Sequence, residues 1–517
     1  MKRILMLFLI FIILTPTISL FGCTETKSQT STVLRVCNCE DYIDESLLEV
    51  FTEETGIEVV YSTYGTNENL YNELVINPNS YDLVVPSEYM IEKLAVEGRI
   101  QPLTRNAQYQ SYLTDYNANI SPFIKGRLEG LNINEGKYAN QNLSLYDFMV
   151  GYMWGTMGWV YNIDNVSVDD VKNWCSPFKN SDLNGKITIK DAVRDSYIVG
   201  LAMVYEDELY ATNDNDVITQ ILNRTDKDSI DKVGEKLSSL KSKLYGFEVD
   251  SGKNDIVLGR IDAYVAWSGD AAYAIDVAAG EVEDEDGSIL EGDAIRNLSY
   301  YIPDEGSNIW FDGFVMPSGS TNYEAVYKFL EFISRPSSVY ANMYYTGYTS
   351  MIANGEEFEV EEYDEYGNVI GTYQTTLFDE VVVGWFDESD DLAPNEGIEV
   401  DLSYFFGGSD KTVVVSEESY GRLIAQYPTD EIVNRCAVMS YFDTEALMDI
   451  NEMWEKVKGE TLPWWVIILM IVLVLFIATL IILYRNKDKI KWFKLPERKT
   501  SYAERKGLTE ISRKEIK

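Results

Sequence analysis

The fold is decided by residues 33–64, which read VLRVCNCEDYIDESLLEVFTEETGIEVVYSTY. Both ends of this stretch, Val33–Cys37 and Ile57–Tyr64, are rich in β-branched and aromatic residues, which is typical of β-strands. Between them, apolar residues recur at every fourth position as far as Gly56, and this spacing predicts a helix that ends at the glycine. The stretch is therefore a predicted strand–helix–strand unit.

The same alternation continues along the chain. A third apolar run, Tyr81–Val85, follows a second helical pattern, and further helical patterns come after it. Strand–helix–strand repetition predicts a parallel sheet with right-handed crossovers. Ligands of such sheets bind beyond the carboxyl ends of the strands. We therefore expect three segments to meet at one edge, namely Asn38–Tyr42, Thr63–Thr66 and Pro86–Tyr89.

Similar units recur further along the sequence. Lys186–Ile189 leads into the polar segment Asp191–Asp195, and Ala263–Ala266 leads into Trp267. Ile309–Phe314 precedes a helix whose apolar residues share one face. The body of the protein is therefore predicted to form two α/β lobes.

Composition excludes several classes of function. The chain has 517 residues, 84 acidic and 43 basic, a net charge of -41 and no histidine. Without histidine, neither a Ser-His-Asp triad nor a His-containing zinc site can form. The negative charge argues against nucleic-acid binding, which requires basic surfaces. The five cysteines follow no metal-binding or disulfide pattern, so we expect no metal and no cofactor.

The N-terminal residues predict export. Residues 1–22 begin with two cations followed by a short apolar run, the layout of a secretory signal peptide. Leu20–Cys23 resembles a bacterial lipoprotein cleavage box, so we expect lipidation of Cys23 and a lipid-anchored tether over residues 23–32. The alternative is an uncleaved anchor in which Cys23 is a free thiol.

The C-terminal residues predict a membrane span. Residues 465–484 form a 20-residue run without charge, long enough for a transmembrane helix. Residues 485–517 carry 12 basic residues, which predicts a cytoplasmic tail. The acidic body is then expected outside the cell membrane, in the periplasm where an outer membrane is present.

Several short sequence segments of the body match the pattern of a known family. They are Leu47–Phe51 with Thr55–Ile57, Val59–Tyr64, Tyr81–Ser87, Gly98–Gln101, Trp154–Thr156 and Gly347–Thr349. In this order, over residues 33–354 and again over 425–460, the chain resembles the spermidine/putrescine-binding proteins of bacterial polyamine ABC importers. The acidic, turn-rich residues 355–424 lie outside the resemblance and are predicted to be an inserted hairpin or small subdomain.

The resemblance implies an α/β, two-lobed periplasmic-binding-protein-like fold of type II with discontinuous lobes. The expected boundaries are 33–154 and 312–345 for lobe 1, and 155–311 and 346–460 for lobe 2. A few crossing segments would serve as a hinge, and the ligand would lie in the cleft. The implied partners are a polyamine and the permease subunits of an ABC transporter.

The resemblance also implies a set of ligand-binding residues. They are Ser87, Tyr89, Asp195, Trp267, Trp310, Asp312 and Tyr348, with Asp191 as a further candidate. The first loop departs from the family pattern, which commonly has Asn-Trp, a polar residue and then tyrosine. This chain has Asn38-Cys39-Glu40-Asp41-Tyr42, so Cys39, Glu40 and Tyr42 are added as candidates.

These residue types suit a polyamine. Carboxylates form charge-assisted hydrogen bonds to ammonium groups, and aromatic rings attract cations and cover the methylenes between them. Two other functions stay open at this point. The fold could bind another organic cation, such as choline, betaine or a thiamine-like molecule, or it could act as a membrane-tethered polyamine sensor. An enzyme is not expected, because the motifs place the carboxylates as cation ligands.

Overall fold

The computed structural model describes residues 33–280, 296–363, 369–390, 392–393 and 396–459, together with 470, 472–473, 476–477 and 479. The predicted signal peptide, the tether with Cys23, the basic tail and most of the predicted span lie outside the described residues. Within the described part, no helix combines the length and apolar character needed to cross a membrane. The chain divides into two compact units, Met1–Val457 and Lys458–Lys517, and the folded body belongs to the first.

The described strands are, in chain order, β1 Val33–Cys39, β2 Glu58–Tyr64, β3 Leu83–Val84, β4 Ile100–Gln101, β5 Met149–Asn162, β6 Ile187–Lys190, β7 Gly246–Glu248, β8 Ala263–Trp267, β9 Leu298–Tyr301, β10 Ser307–Pro317, β11 Thr349–Ser350, β12 Phe358–Tyr363, β13 Val369–Thr375, β14 Ile398–Asp401, β15 Thr412–Val415 and β16 Cys436–Ala437. The main sheet has the order β2-β1-β3-β10-β5-β8-β6-β7. Strands β4 and β16 pair with β10, and β9 and β11 pair with β5.

The described α-helices are α1 Ser46–Thr55, α2 Asn67–Ile76, α3 Glu88–Val96, α4 Thr114–Asn119, α5 Pro122–Gly130, α6 Val168–Val171, α7 Val193–Val204, α8 Glu206–Tyr210, α9 Asn215–Leu222, α10 Lys227–Leu240, α11 Ser251–Val257, α12 Ser268–Ala279, α13 Tyr323–Ile333, α14 Pro336–Thr346, α15 Gly384–Phe386, α16 Ser403–Phe406, α17 Glu417–Gln426, α18 Asp430–Val433 and α19 Thr444–Lys458. Short 3₁₀ segments and one π-helical turn lie between them.

The first lobe begins with the strands that the sequence predicted. Strand β1 pairs in parallel with both β2 and β3, which confirms the parallel arrangement. Helix α1 ends at Gly56, whose φ of 70° favours a residue without a β-carbon. Phe51 of α1 packs against Phe329 of α13 with ring centroids 5.2 Å apart. Strand β3 is shorter than the predicted Tyr81–Val85.

Two long strands, β5 and β10, join the lobes. They lie side by side in the middle of the sheet and run antiparallel. Every residue of β5 is buried. This strand contributes Trp154 to one hydrophobic cluster and Trp159 to another. β5 therefore enters both cores, whereas the apolar residues of β10 lie in the same cluster as Trp154.

The second lobe is built around β6. Its strand pairs are parallel, with β7 on one side and β8 on the other. Helices α7 and α10 supply buried residues to its core, and α19 adds Trp454, whose ring lies 5.1 Å from that of Phe247. Residues 157–161 of β5 pair with β8 and connect this lobe to the centre of the sheet.

The stretch from 355 to 424 forms two antiparallel hairpins, β12 with β13 and β14 with β15, followed by most of α17. Arg422 of α17 makes a two-point ion pair with Asp276 of α12, at 2.6 and 2.8 Å. Phe405 and Val400 are buried in the same cluster as Trp154. The segment is therefore packed against the body as part of its core.

Candidate functional site

The site is organised by an irregularity in β10. The register of β10 against β5 shifts between Asp312 and Gly313, which marks a β-bulge. Bulges re-aim side chains and are frequent beside functional sites. The backbone of Asp312 also forms an isolated antiparallel bridge with Ser87, the residue that precedes α3. A carboxylate is thus held where a crossing strand meets the edge of the first lobe.

The two carboxylate oxygens of Asp312 differ in their hydrogen bonding. Oδ2 accepts a hydrogen bond of 2.8 Å from the hydroxyl of Tyr42. Oδ1 is shielded from solvent and accepts no hydrogen bond from the described residues. Burial raises the pKa of Asp312 to about 6, although the hydroxyls of Ser87 and Tyr42 act to lower it. A shielded carboxylate oxygen without a donor is a site that a cation can satisfy.

Three aromatic rings stand beside this carboxylate. The ring of Tyr348 meets that of Tyr42 edge-on at 5.4 Å and that of Trp310 at 5.5 Å. The indole Nε1 of Trp310 is buried and has no hydrogen-bond partner among the described residues. Mutually tilted pairs are a favourable arrangement of aromatic rings, and the face of such a ring can attract a cation.

Two glycines let these rings approach the backbone. A β-carbon at Gly269, in the first turn of α12, would overlap the ring of Tyr348. A β-carbon at Gly155, in β5, would overlap the ring of Trp310. Each ring can therefore occupy its position only because the residue that faces it, Gly269 or Gly155, has no side chain.

The loops after β2 and β3 meet, as the sequence predicted. The Asn67 amide donates to the hydroxyl of Ser87 at 3.1 Å and accepts from its backbone N–H at 3.2 Å. Tyr89 donates to Glu68 at 3.2 Å. The guanidinium of Arg194 lies 3.7 Å from the centre of the Tyr89 ring, so a cation of this chain covers one face of that ring.

The second lobe contributes Asp195 and Trp267. Trp267 ends β8, and Asp195 lies in the first turn of α7. Burial raises the pKa of Asp195, while a hydrogen bond from the Trp267 side chain and the nearby charge of Lys190 lower it. The two residues form one group, which carries both a ring and a carboxylate.

Sequence reasoning missed Lys190, the last residue of β6. Its ammonium is buried and donates to the carbonyl of Val249 at 2.6 Å and to Asp270 Oδ2 at 3.2 Å. It lies 3.9 Å from Glu248 Oε1 and 4.2 Å from the centre of the Trp267 ring. A lysine among strand residues gave no signal, because strands commonly carry lysines that face solvent.

Asp270 links the rings beside Asp312 to Lys190 and Trp267. Its Oδ1 accepts a long hydrogen bond, 3.4 Å, from the hydroxyl of Tyr348. Its Oδ2 contacts Lys190. The contacts therefore run from Asp312 through Tyr42, Tyr348 and Asp270 to Lys190.

The structure places the remaining candidates in different surroundings. Asp191 accepts a 3.3 Å hydrogen bond from the indole of Trp454. Glu40 is exposed. Cys39 is partly buried, and burial together with the charge of Asp312 raises the pKa of its thiol to about 11. Tyr42 is the member of the altered first loop that contacts Asp312 directly.

A second buried carboxyl group lies next to Asp312. Glu88, the first residue of α3, accepts a hydrogen bond of 2.9 Å from the backbone N–H of Phe311. Burial is the main reason that the pKa of Glu88 rises to about 8, and the charge of Asp312 adds to it. At neutral pH, Glu88 is therefore mostly protonated and leaves Asp312 as the negative charge at this point.

The structure also has a pocket away from Asp312 and its neighbouring rings. An open pocket of about 410 Å³ is lined by Glu92, Glu135 and Tyr441 among others, and by none of the residues around Asp312. Within the described residues, no cluster of cysteine and acidic side chains is arranged to hold a metal ion.

Two α/β lobes joined by long shared strands, with rings and carboxylates gathered beside those strands, define a periplasmic-binding-protein-like receptor for a small molecule. The protein belongs to the family of bacterial extracellular solute-binding proteins, whose sequence profile matches residues 46–368. The family consists of proteins that bind a solute.

Two sequence relatives and two solved structures indicate the nearer relationships. The spermidine/putrescine-binding periplasmic protein of Salmonella typhimurium is 28% identical over 316 residues, 61% of this chain and 76% of the relative. The putrescine-binding periplasmic protein of Escherichia coli is 29% identical over 314 residues, 59% of this chain and 74% of the relative. The spermidine/putrescine transporter substrate-binding protein of Streptococcus pneumoniae has a TM-score of 0.53 at 24% identity, over 83% of this chain and 99% of that structure. A Listeria monocytogenes protein described as a spermidine/putrescine ABC transporter gives 0.54 at 23% identity, with the same coverage. These structures share the fold.

Proposed function

We propose that this protein is the extracellular substrate-binding component of an ABC importer, which captures a polyamine such as putrescine or spermidine between its lobes and delivers it to the permease subunits. The observation that carries the proposal is Oδ1 of Asp312, which accepts no hydrogen bond within the described part of the chain and lies beside the rings of Tyr42, Trp310 and Tyr348. The names of the relatives in Salmonella and Escherichia coli support the same class of ligand.

The chemistry of the site fits an ammonium group. A charge-assisted hydrogen bond to Asp312 contributes about 1.5–3 kcal/mol, and a desolvated cation over an aromatic ring adds about 0.5–2 kcal/mol. The ring of Trp310 offers such a face beside the carboxylate. No bond of the ligand is made or broken, so the protein acts as a receptor and not as an enzyme.

Ligand capture is expected to change the relation between the lobes. Asp312 comes from the end of β10 that packs in the first lobe, while Trp267 and Asp195 belong to the second. A dication held by carboxylates from both sides would neutralise them and favour closure about β5 and β10. In this proposal the receptor has the type II fold, in which each lobe is built from discontinuous segments of the chain. The permease recognises the form in which the two lobes have closed.

Membrane attachment belongs to the same proposal. Lipidation at Cys23 and a transmembrane helix at residues 465–484, with a cytoplasmic tail, would hold the receptor outside the cell membrane beside its permease. Such tethering raises the effective concentration of receptor at the transporter. The charge-free sequence of residues 465–484 and the basic residues after it support this part.

Calorimetric titration of the full-length protein in detergent tests the proposal. Putrescine, spermidine, choline, betaine and thiamine are titrated separately. Saturable heat with a polyamine, and weaker or no heat with the other cations, is the expected result. Tighter binding of a quaternary ammonium compound would assign the site to another organic cation. Unchanged polyamine uptake by cells that lack the protein would instead favour a sensor.

A further inference from the structure

The second lobe already holds a cation at the place where a ligand was expected. The ammonium of Lys190 lies 4.2 Å from the centre of the Trp267 ring, within the distance at which a cation over a ring is attracted. The side chain of Lys190 is 1% exposed. One face of Trp267 is therefore covered by an ammonium group of this chain.

The internal ammonium is fully accommodated by its surroundings. It donates to the carbonyl of Val249 and to Asp270, and Glu248 lies 3.9 Å away. A carbonyl, two carboxylates and an aromatic face are the partners that a polyamine nitrogen requires. The protein thus supplies, from its own chain, what would otherwise be one ammonium of the ligand.

Arg194 covers the ring of Tyr89 in the way that Lys190 covers the ring of Trp267. Its guanidinium lies 3.7 Å from the centre of the Tyr89 ring and 4.1 Å from that of Phe442. Two of the rings predicted to contact ligand are therefore covered on one face by cations of this chain. The rings of Tyr42, Trp310 and Tyr348 have no such cation among the described residues.

The balance of charge follows from these contacts. Glu88, whose raised pKa favours its neutral form, and Asp191, which accepts from Trp454, are left out of the count. The four other buried or half-buried carboxylates, Asp195, Glu248, Asp270 and Asp312, are accompanied by the cations Lys190 and Arg194, with the partly exposed Lys253 3.7 Å from Asp270. The excess is one to two negative charges. A diamine, which carries two positive charges, matches this excess, whereas a triamine brings at least one uncompensated charge into a shielded site.

We propose that Lys190 is a specificity-determining residue, an internal ammonium that takes the position of one ligand nitrogen over Trp267 and restricts the site to short diamines of the putrescine class. This inference rests on the proposed polyamine-binding function and narrows its ligand. Longer polyamines are disfavoured because the position that their additional ammonium requires is occupied by Lys190.

Titration of the full-length protein with putrescine and with spermidine tests the inference. The wild-type protein is expected to bind putrescine at least about tenfold more tightly than spermidine. Lys190→Met keeps the aliphatic stem and removes the charge, which frees Trp267, Asp270 and Glu248. The preference for putrescine should therefore fall by about tenfold or more in this variant.

Two further variants keep the experiment decisive. Lys190→Gln retains a donor for the carbonyl of Val249 and carries the test if Lys190→Met does not fold, as judged by thermal melting. Lys186→Met is the matched control, because Lys186 precedes the same strand and pairs with Asp262 at 2.7 Å, away from the rings. Its ligand preference should equal that of the wild type.

The outcomes separate the two proposals. Equal or tighter binding of spermidine by the wild type, or an unchanged ratio in a folded Lys190 variant, overturns the role of Lys190 and leaves polyamine binding intact. No heat with either amine overturns the proposed function itself.

Discussion

The hydroxyl of Tyr42 donates a 2.8 Å hydrogen bond to Asp312, although the two residues are 270 positions apart in the chain. Tyr42 lies in the loop after β1, and Asp312 lies at the bulge of β10. The bond occupies one carboxylate oxygen and leaves the other without a donor among the described residues. It therefore fixes the orientation of Asp312 while keeping one oxygen for the ligand.

Replacing Asp312 by asparagine is expected to weaken putrescine binding by about tenfold or more, about 1.4 kcal/mol. The amide oxygen of the introduced side chain still accepts from Tyr42, but the negative charge that faces the ammonium is lost. Isothermal titration measures the change. Glu324→Gln is the control, because Glu324 is exposed on α13 and pairs only with Lys328 among the described residues. Equal affinities in the two variants would show that Asp312 does not contact the ligand.

Trp310→Ala is expected to weaken binding to a similar extent, about tenfold, because it removes the aromatic ring that lies beside Asp312. Trp310→Phe keeps an aromatic face against Tyr348 and should lose less. Titration of both variants with putrescine ranks them. If Trp310→Phe binds putrescine no more tightly than Trp310→Ala, the ring contributes nothing as a cation-binding face.

Binding should weaken as the solution becomes acidic. The pKa of Asp312 is raised to about 6 by burial, so below this pH the free protein carries a protonated, neutral Asp312. A cationic ligand binds the ionised form, and affinity is expected to fall by up to tenfold for each pH unit below about 6. Titrations at pH 5, 6 and 7 measure this slope. Burial also raises the pKa of Asp195, which adds to the same trend. Asp312→Asn should be the less pH-dependent protein, and identical slopes in both would contradict the assignment.

The sequence predicted the scaffold better than the details of the site. The alternation in residues 33–64 indicated β1, α1 and β2. Asn67, after β2, bonds Ser87, after β3, and Tyr42 of the loop after β1 reaches Asp312, which bridges Ser87. These features depend on local periodicity and on the geometry of parallel sheets, which the sequence encodes directly.

The site's internal cations could not be predicted in this way. Whether Lys190 points to solvent or into the site depends on how β6, β7 and β8 pack, and Arg194 reaches Tyr89 only because α7 lies near α3 in the folded protein. The bulge at Asp312 is likewise invisible in the sequence, since it depends on the register of β10 against β5. The lipid anchor, the membrane span and the ligand residues themselves stay predictions.

Glu88→Gln is expected to stabilise the protein at pH 7 to 9. Burial raises the pKa of Glu88 from an ordinary 4.5 to about 8, so the folded state retains a proton that the unfolded state has lost. The free energy of unfolding therefore decreases as pH rises from about 4.5 to 8, by up to about 1.4 kcal/mol per pH unit. Glutamine is neutral throughout and should flatten this dependence, as measured by melting temperatures at pH 5, 7 and 9.

Glu305 provides the matched comparison for Glu88. It is also buried, its pKa is likewise raised to about 8 by burial, and it accepts a 2.7 Å hydrogen bond from the backbone N–H of Trp174. Glu305→Gln should flatten the pH dependence of stability to a similar extent. A Glu88→Gln protein whose melting temperature follows the wild type at every pH would show that Glu88 ionises normally.

Gly269→Ala is expected to weaken polyamine binding by about tenfold or more without preventing folding. Gly269 lies in the first turn of α12, and a methyl group there would overlap the ring of Tyr348. The ring would have to rotate away from Tyr42 and Trp310, which removes one wall of the site. Gly126→Ala, on α5, is the matched control, because its added methyl meets open space and should stabilise the helix by up to about 1 kcal/mol. Putrescine titration and thermal melting of both variants distinguish the two effects. Wild-type affinity in Gly269→Ala would mean that the position of the Tyr348 ring does not matter for binding.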